Sequence, residues 1–123
     1  MDNRKNKLVA VVDNDPILLT SLRRLLGASG FQTIGFSSAE AFLAAPAAAE
    51  SCCLVLDINL DGMSGIELRR LLTTSGSSLP VIYITADDDE AVEREARSSG
   101  CVAYLRKPFG GKELIGAVAE AVH

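Results

Sequence analysis

Five apolar runs recur along the chain, and each is followed by a stretch whose apolar residues have helical spacing. The runs predict β-strands, because uninterrupted apolar segments of about four to eight residues are typical of strands buried on both faces of a sheet. The second run is more polar than the other four, which favours a position at the edge of the sheet. The predicted strands cover residues 8–12, 31–36, 52–57, 80–85 and 101–105.

The stretches between and after these runs predict helices. In the first, Leu18, Leu22 and Leu25 recur at helical spacing between Pro16, which suits a first helical turn, and Gly30, which suits a stop. The remaining helices are expected over residues 38–45, around 66–72, over 88–99, and from about 114 to the end of the chain.

Two of these helices have features of their own. Residues 37–40 (SSAE) predict a capping box at the start of the second helix, with Glu40 as its acidic partner. The fourth helix is heavily charged and offers only Ala91, Val92 and Ala96 for burial. Weak burial of this kind suits an element that can move.

Regular alternation of strands and helices predicts an α/β fold. Crossovers between parallel strands are right-handed and place helices on both faces of the sheet, so we expect a doubly wound, five-stranded parallel sheet. At 123 residues without repeats or linkers, we expect residues 1–123 to form one domain.

Composition narrows the function classes. The net charge is −4 and no stretch concentrates Lys and Arg, so direct nucleic-acid binding by this domain is not expected. No apolar run approaches the roughly 20 residues of a membrane span. Cys52, Cys53 and Cys101 are odd in number and lack metal-ligand spacing, so we expect buried free thiols and a cytoplasmic setting.

Four of the five predicted strands end in, or next to, a group that can handle phosphate or metal. These groups are Asp13, Asp57, Thr85 and Lys107. Taken singly, each has an ordinary explanation as a helix cap, a strand end or a solvated side chain. Because the carboxyl ends of parallel strands meet at one edge, where ligands bind in open α/β sheets, the four together predict a site.

The chemistry of these groups fits phosphoryl transfer. A carboxylate is ionised at neutral pH and can act as a nucleophile without a general base. The accumulating negative charge then needs a divalent cation, an ammonium group and a hydroxyl donor. Mg²⁺ (or Mn²⁺) suits such a site, since Mg²⁺ keeps several waters and needs only one or two carboxylates besides phosphate oxygens.

The motifs at these strand ends resemble those of one family over essentially the whole chain. They are residues 11–15 (VVDND), 56–57 (LD) with 63–65 (MSG), 84–86 (ITA) and 107–109 (KPF). Their spacing is similar to that of the receiver domains of two-component response regulators, and most similar to the FixJ-like branch. The resemblance implies a flavodoxin-like (βα)5 fold with strand order 2-1-3-4-5.

The same resemblance implies the roles of the acidic residues. Asp57 would be the phosphoacceptor and would also ligate the metal. Asp13 is the first member of the family's acidic pair, and Asn14 stands at the second position. Asn59 would lend its backbone carbonyl to the metal.

Three further residues take roles from the resemblance. Thr85 would contact the phosphoryl group and act in the switch, and Lys107 would bridge to the phosphoryl group before a cis peptide to Pro108. Tyr104 matches the family's aromatic switch residue, although an ordinary half-buried strand aromatic is the alternative interpretation.

The function implied is that of a response-regulator receiver domain. It would accept a phosphoryl group from a histidine kinase or a phosphotransfer protein, with no enzymatic activity beyond its own phosphorylation and dephosphorylation. Phosphorylation would switch a protein-interaction surface around the fourth helix, the fifth strand and the fifth helix, and this face could form a homodimer.

The chain departs from the family pattern at several positions. Asn14 replaces an acid, which removes one negative charge beside the metal and predicts weaker Mg²⁺ binding. Asp61 stands where proline is usual, which adds flexibility to the loop after Asp57. Asp87, Asp88 and Asp89 follow Thr85 and are interpreted as solvated loop acids.

Two other functions stay open at this point. One is a receiver-like module that works without phosphorylation, a possibility to which Asn14 gives weight. The other is a phosphatase of the haloacid dehalogenase type, with Asp13 as nucleophile and Asp15 as acid/base. Against the phosphatase, no acidic motif follows Lys107, there is no cap insertion, and Asp57 has no role in it.

Overall fold

The computed structural model describes residues 4–122, in which five strands alternate with five helices. The strands are β1 Leu8–Val12, β2 Gln32–Phe36, β3 Cys53–Asp57, β4 Val81–Thr85 and β5 Ala103–Arg106. The helices are α1 Pro16–Ala28, α2 Ala39–Ala44, α3 Gly65–Thr74, α4 Glu90–Ser98 and α5 Gly111–Ala121. Short 3₁₀ helices occupy Arg4–Asn6 and Pro46–Glu50.

The five strands form one parallel sheet in the order β2-β1-β3-β4-β5, which confirms the predicted order. The register brings the carboxyl ends of the strands together: Val12 pairs with Leu56, and Asp57 pairs with Ile84. Consequently, the residues that follow β1, β3, β4 and β5 lie along one edge of the sheet. None of the helices within residues 4–122 has the length and hydrophobicity to cross a membrane.

Side chains alternate between two cores, one on each face of the sheet. Residues of α2, α3 and α4 cover one face, and residues of α1 and α5 cover the other. The first core includes Val12, Leu54, Leu56 and Tyr83, and the second includes Val11, Val55, Ile82 and Ile84. Because β1, β3 and β4 are buried on both faces, they have the continuous apolar sequences from which they were predicted.

Several predicted boundaries were wrong by one or two residues. The third and fourth strands begin at Cys53 and Val81 rather than one residue earlier, and the fifth covers Ala103–Arg106 rather than 101–105. The last helix ends at Ala121, before the predicted chain end; residue 123 lies outside the described residues.

The fourth helix begins at Glu90 instead of residue 88, because the Asp89 carboxylate caps it by accepting a hydrogen bond from the Ala91 N–H. Ala91 itself is exposed, so the prediction that it is buried was wrong. Val92 is half-buried and Ala96 fully buried, which leaves α4 with little apolar contact.

The cysteine prediction was correct in one respect and wrong in another. All three thiols are free, but only Cys53 is buried, whereas Cys52 and Cys101 are half-buried. Cys52 and Cys101 precede their strands instead of lying within them, so they fall outside the sheet's covered centre. Burial raises the pKa of the Cys53 thiol to about 12, which keeps it protonated and unreactive.

The capping box predicted at the second helix was also wrong. Ser38 is the N-cap of α2, and its hydroxyl accepts a hydrogen bond from the Ala41 N–H at 3.0 Å. Glu40 is therefore the second residue of the helix, whereas a capping box requires the acid at the third. Its carboxylate instead accepts a hydrogen bond from the Met63 backbone amide. A complete capping box occurs at α3, between Ser64 and Glu67.

The start of α3 packs directly beneath the end of β3. The amide of Gly65 donates to the carbonyl of Ile58 at 3.0 Å, and a Cβ at Gly65 would collide with the backbone carbonyl of Asp57. Only glycine allows this close approach, which fixes the height of α3 relative to Asp57.

We expect Gly65→Ala to destabilise the protein by roughly 1–3 kcal/mol, because the added methyl overpacks against backbone that cannot move aside. Gly116→Ala is the matched control: its Cβ meets nothing within 4 Å, and Ala in a helix gains about 0.5–1 kcal/mol over Gly. Urea unfolding of both variants measures the difference. Equal effects would show that the approach of α3 to Asp57 is not tight.

Candidate functional site

A lysine joins two carboxylates at the carboxyl edge of the sheet. The Lys107 Nζ donates to Asp57 Oδ2 at 3.1 Å and to Asp13 Oδ2 at 3.2 Å. The three residues follow or end β5, β3 and β1, so the strand order brings together groups as far as 94 positions apart in sequence. Asp13 is 0% and Asp57 4% exposed, so this is an ion-pair cluster largely removed from water.

The charges in this cluster perturb one another. Burial raises the pKa of Asp57, and the like charge of Asp13 raises it further; Lys107 and the Asn59 amide only partly oppose them. Burial alone would lower the pKa of Lys107, but the two carboxylates outweigh it and hold that pKa above its usual value. The edge of the sheet thus carries two acids in repulsion, balanced by one ammonium group.

Asn59 and Thr85 complete the surroundings of Asp57. The backbone amide of Asn59 donates to Asp57 Oδ1 at 3.1 Å, and its side-chain amide donates to Thr85 Oγ1 at 3.4 Å. Thr85 is fully buried at the end of β4. The structure therefore brings together Asp13, Asp57, Asn59, Thr85 and Lys107 from five separate positions of the sequence.

The two residues that follow Asp13, Asn14 and Asp15, lie in different surroundings. Asn14 is exposed at the rim of the cluster. Asp15 caps α1, with Oδ1 accepting from the amides of Ile17 and Leu18, and its own amide donates to Asp13 Oδ1 at 2.9 Å. Asp15 thus orients the buried carboxylate of Asp13 while it begins the helix.

The donor set can be compared with what Mg²⁺ requires. Within residues 4–122, no three His, Cys, Asp or Glu side chains are grouped to hold a metal ion by themselves. Asp13 and Asp57, however, aim one oxygen each at the same point, now taken by the Lys107 Nζ, and their mutual repulsion favours a cation there. Mg²⁺ needs only one or two carboxylates when it keeps its water ligands, so this pair of acids fits the metal.

Asp88 and Asp89 are exposed, as expected of solvated loop acids, but Asp87 is half-buried, and Asp87 and Asp89 also form a ladder of hydrogen bonds. The amide of Asp87 donates to Thr85 Oγ1 at 3.0 Å, and the amide of Asp89 donates to Asp87 Oδ1 at 2.9 Å. The Asp89 carboxylate in turn accepts from the Ala91 amide at 2.8 Å. This Thr85–Asp89 ladder connects the buried hydroxyl of Thr85 with the first turn of α4.

Tyr104 lies apart from the cluster, on β5 beside Tyr83. Its ring is half-buried and the guanidinium carbon of Arg97 lies 5.3 Å from the ring centroid. The hydroxyl is buried and has no hydrogen-bond partner among the described residues. Burial, with a smaller contribution from Glu93, raises the pKa of this phenol.

Two residues that shape the site, Gly65 and Glu40, were named in the sequence analysis without a role at the site. Gly65 sets the distance between α3 and Asp57, and Glu40 holds the loop that follows Asp57. Glycine before an apolar helix pattern was a visible signal for the first. The second had no signal, because its partner is a backbone amide 23 positions away. The Lys107–Pro108 peptide is cis, as the resemblance implied.

A parallel sheet of order 2-1-3-4-5 with two acids and a lysine at its carboxyl edge defines the receiver class. A family model described as "Response regulator receiver domain" matches residues 9–119. The chain belongs to this family, and is therefore a receiver domain of two-component signalling.

Individual relatives place it near the FixJ-like branch, as predicted. Response regulator protein TmoT of Ectopseudomonas mendocina is 32% identical over 98% of this chain and 54% of its own length. Transcriptional regulatory protein FixJ of Azorhizobium caulinodans is 36% identical over 89% of this chain and 52% of FixJ. The crystal structure of FixJ-N matches with a TM-score of 0.86 at 34% identity, over 99% of this chain and 95% of that chain. This chain spans about half the length of the curated relatives it matches.

We compare the free energy of unfolding of Asp57→Asn with that of the native chain in the absence of divalent cations. We expect the variant to gain stability relative to the native chain as the pH rises from 4 to 7. The folded-state pKa of Asp57 is raised, so its stabilising contribution is full below the ordinary Asp pKa of about 3.9 and is lost as pH rises through the folded value. Urea unfolding across this range measures the difference.

Asp88→Asn, which removes an exposed acid outside the cluster, controls for net charge. A difference between the Asp57→Asn variant and the native chain that stays constant with pH, or shrinks, would contradict a raised pKa of Asp57 in the folded protein.

Proposed function

We propose that this domain accepts a phosphoryl group on Asp57 from a phosphohistidine of a histidine kinase or a phosphotransfer protein. The observation that carries the proposal is the single Lys107 ammonium shared by the buried carboxylates of Asp57 and Asp13. A carboxylate beside a fixed ammonium group has both the nucleophile and the charge compensation that the reaction needs.

In the transfer, an Asp57 oxygen attacks the phosphorus atom. The new P–O bond forms as the P–N bond to the donor imidazole breaks, and the imidazole nitrogen leaves with the bonding pair and takes a proton. The Lys107 ammonium, which bonds to the Asp57 carboxylate, would then bind the phosphoryl oxygens. The Thr85 hydroxyl, which accepts a hydrogen bond from the Asn59 side chain at 3.4 Å, would turn toward them.

Asp13, Asp57, the backbone carbonyl of Asn59 and the amide oxygen of Asn14 would hold Mg²⁺ or Mn²⁺. When bound, the cation neutralises phosphoryl charge and orients the donor. Asn14 contributes a neutral oxygen where the family usually has a carboxylate, so the affinity for Mg²⁺ would be lower in this chain.

The Thr85–Asp89 ladder supports a route from the phosphorylated site to α4. A Thr85 hydroxyl that turns toward a phosphoryl group releases the Asp87 amide, which loosens the cap of α4. The far end of α4 stays anchored, because the Arg69 guanidinium donates to the Gly100 carbonyl at 2.7 Å. The amino end of α4 is therefore the end expected to move.

Tyr104 is suited to follow that movement. Its buried hydroxyl has no hydrogen-bond partner within residues 4–122, which is unfavourable, so its ring orientation would depend on the position of the neighbouring α4. The surface formed by α4, β5 and α5 would then bind an output partner or a second copy of the chain. We further propose a transcriptional output, since FixJ is by name a transcriptional regulatory protein.

We expect the chain to be labelled by acetyl phosphate in the presence of Mg²⁺, with one phosphoryl group on Asp57. Asp57→Asn should abolish the label, and Lys107→Ala should slow labelling by roughly 100-fold, because a charge-stabilising donor is lost. Lys112→Ala, which removes an exposed lysine of α5, should label normally. Intact-mass spectrometry follows the rate, and borohydride reduction locates the acyl phosphate.

A label on Asp13 would instead support phosphatase chemistry. No Mg²⁺-dependent label on the native chain from either acetyl phosphate or a phosphorylated histidine kinase would support a module that works without phosphorylation.

We expect Asn14→Asp to lower the Mg²⁺ midpoint by roughly tenfold, because a second charge joins the ligand set. Asn6→Asp makes the same substitution at an exposed position before β1, at the opposite edge of the sheet, and should leave the midpoint unchanged. The midpoint can be read from the rise in unfolding temperature with Mg²⁺ concentration. Equal midpoints for Asn14→Asp and the native chain would rule out Asn14 as the cause of weak metal binding.

A further inference from the structure

The loop from Asn59 to Ser64 joins β3 to α3 and carries part of the candidate site. Its first residue donates both to the Asp57 carboxylate and to Thr85 Oγ1. Its last residue is the N-cap of α3. Asp61 and Gly62 between them are exposed. The conformation of this loop therefore decides where the backbone of Asn59 sits relative to Asp57.

One side chain from a different part of the fold reaches this loop. The Glu40 carboxylate, in the first turn of α2, accepts a hydrogen bond from the Met63 amide through Oε2 at 2.9 Å. The loop is shaped to receive it: Gly62 has a positive φ of 76°, and a Cβ there would lie 2.6 Å from the same Oε2. Glycine thus provides both the turn and the space for the carboxylate.

The contact favours the charged form of Glu40. The hydrogen bond from the Met63 amide is the main reason that the pKa of Glu40 lies below its usual value, with its own backbone amide adding to the effect. Glu40 is exposed, so water competes for it, and its contribution to overall stability is small. Its effect is on the position of the loop.

We propose that Glu40 is a positioning residue for phosphorylation at Asp57: its bond to the Met63 amide fixes the β3–α3 loop and thereby aims the backbone of Asn59 at the site. The inference rests on the phosphoacceptor function proposed above. Because Asp61 leaves the loop without the stiffening proline usual in the family, the tie from Glu40 takes over part of that restraint.

The test compares Glu40→Ala with Ser38→Ala. Both weaken the start of α2, but only the first releases the loop, since Ser38 bonds within its own helix to the Ala41 amide. We expect Glu40→Ala to raise the Mg²⁺ midpoint and to slow acetyl phosphate labelling, each by roughly three- to tenfold. This is less than the about 10–100-fold caused by removing groups bonded directly to metal ligands. Ser38→Ala should leave both unchanged.

Glu40→Gln separates positioning from general destabilisation. Its side-chain carbonyl can still accept from Met63, so we expect it to restore most of the labelling rate and the native NMR shifts of the Met63 and Asn59 amides. If Glu40→Ala matches Ser38→Ala in midpoint and rate, or if the Asn59 amide shift does not change in it, the proposal is overturned. Failure of the native chain to label at all would instead overturn the phosphoacceptor function, a distinct outcome.

Discussion

Two carboxylates buried side by side at the end of a sheet are the costliest arrangement in this molecule, and one ammonium group makes it tolerable. Burial and mutual repulsion both favour protonation of Asp57, yet Lys107 lies within hydrogen-bonding distance of both acids. A cation bound beside these acids would relieve part of their repulsion, whereas loss of the Lys107 ammonium would increase it.

The order and the burial of the strands bring these charged groups together. β1 and β3 are paired neighbours and buried on both faces, so Asp13 and Asp57 emerge together at an edge with little water. β5 is the outer strand on that side, and the Lys107 side chain must cross the end of β4 to reach them. Thr85 lies beneath that crossing, which explains why its hydroxyl bonds to the loops on either side.

The site residues that could be predicted from the sequence are those at the ends of predicted strands. Asp57, Thr85 and Lys107 stand at or next to the ends of apolar runs, and parallel strands place such ends together whatever connects them. The contact of Glu40 could not be predicted, because a bond between a carboxylate and a distant backbone amide depends on how α2 is docked. The hydrogen bonds of Asp87 and Asp89 could not be predicted for a similar reason. Acidic residues in a loop accept from backbone amides only when the backbone turns toward their carboxylates.

The contacts that could not be predicted from the sequence are all of one kind. Glu40, Asp87 and Asp89 each use a carboxylate oxygen to accept from a backbone amide. Glu40 holds the loop after Asp57, whereas Asp87 and Asp89 connect the loop after Thr85 to the first turn of α4. Bonds of this kind at exposed positions are weak singly and exchange readily with water. They can therefore hold one loop conformation in the resting domain and still release it when a new charge appears beside Thr85. A core built largely from aliphatic side chains keeps the sheet fixed, so the proposed rearrangement would be confined to the loops at its carboxyl edge and the start of α4.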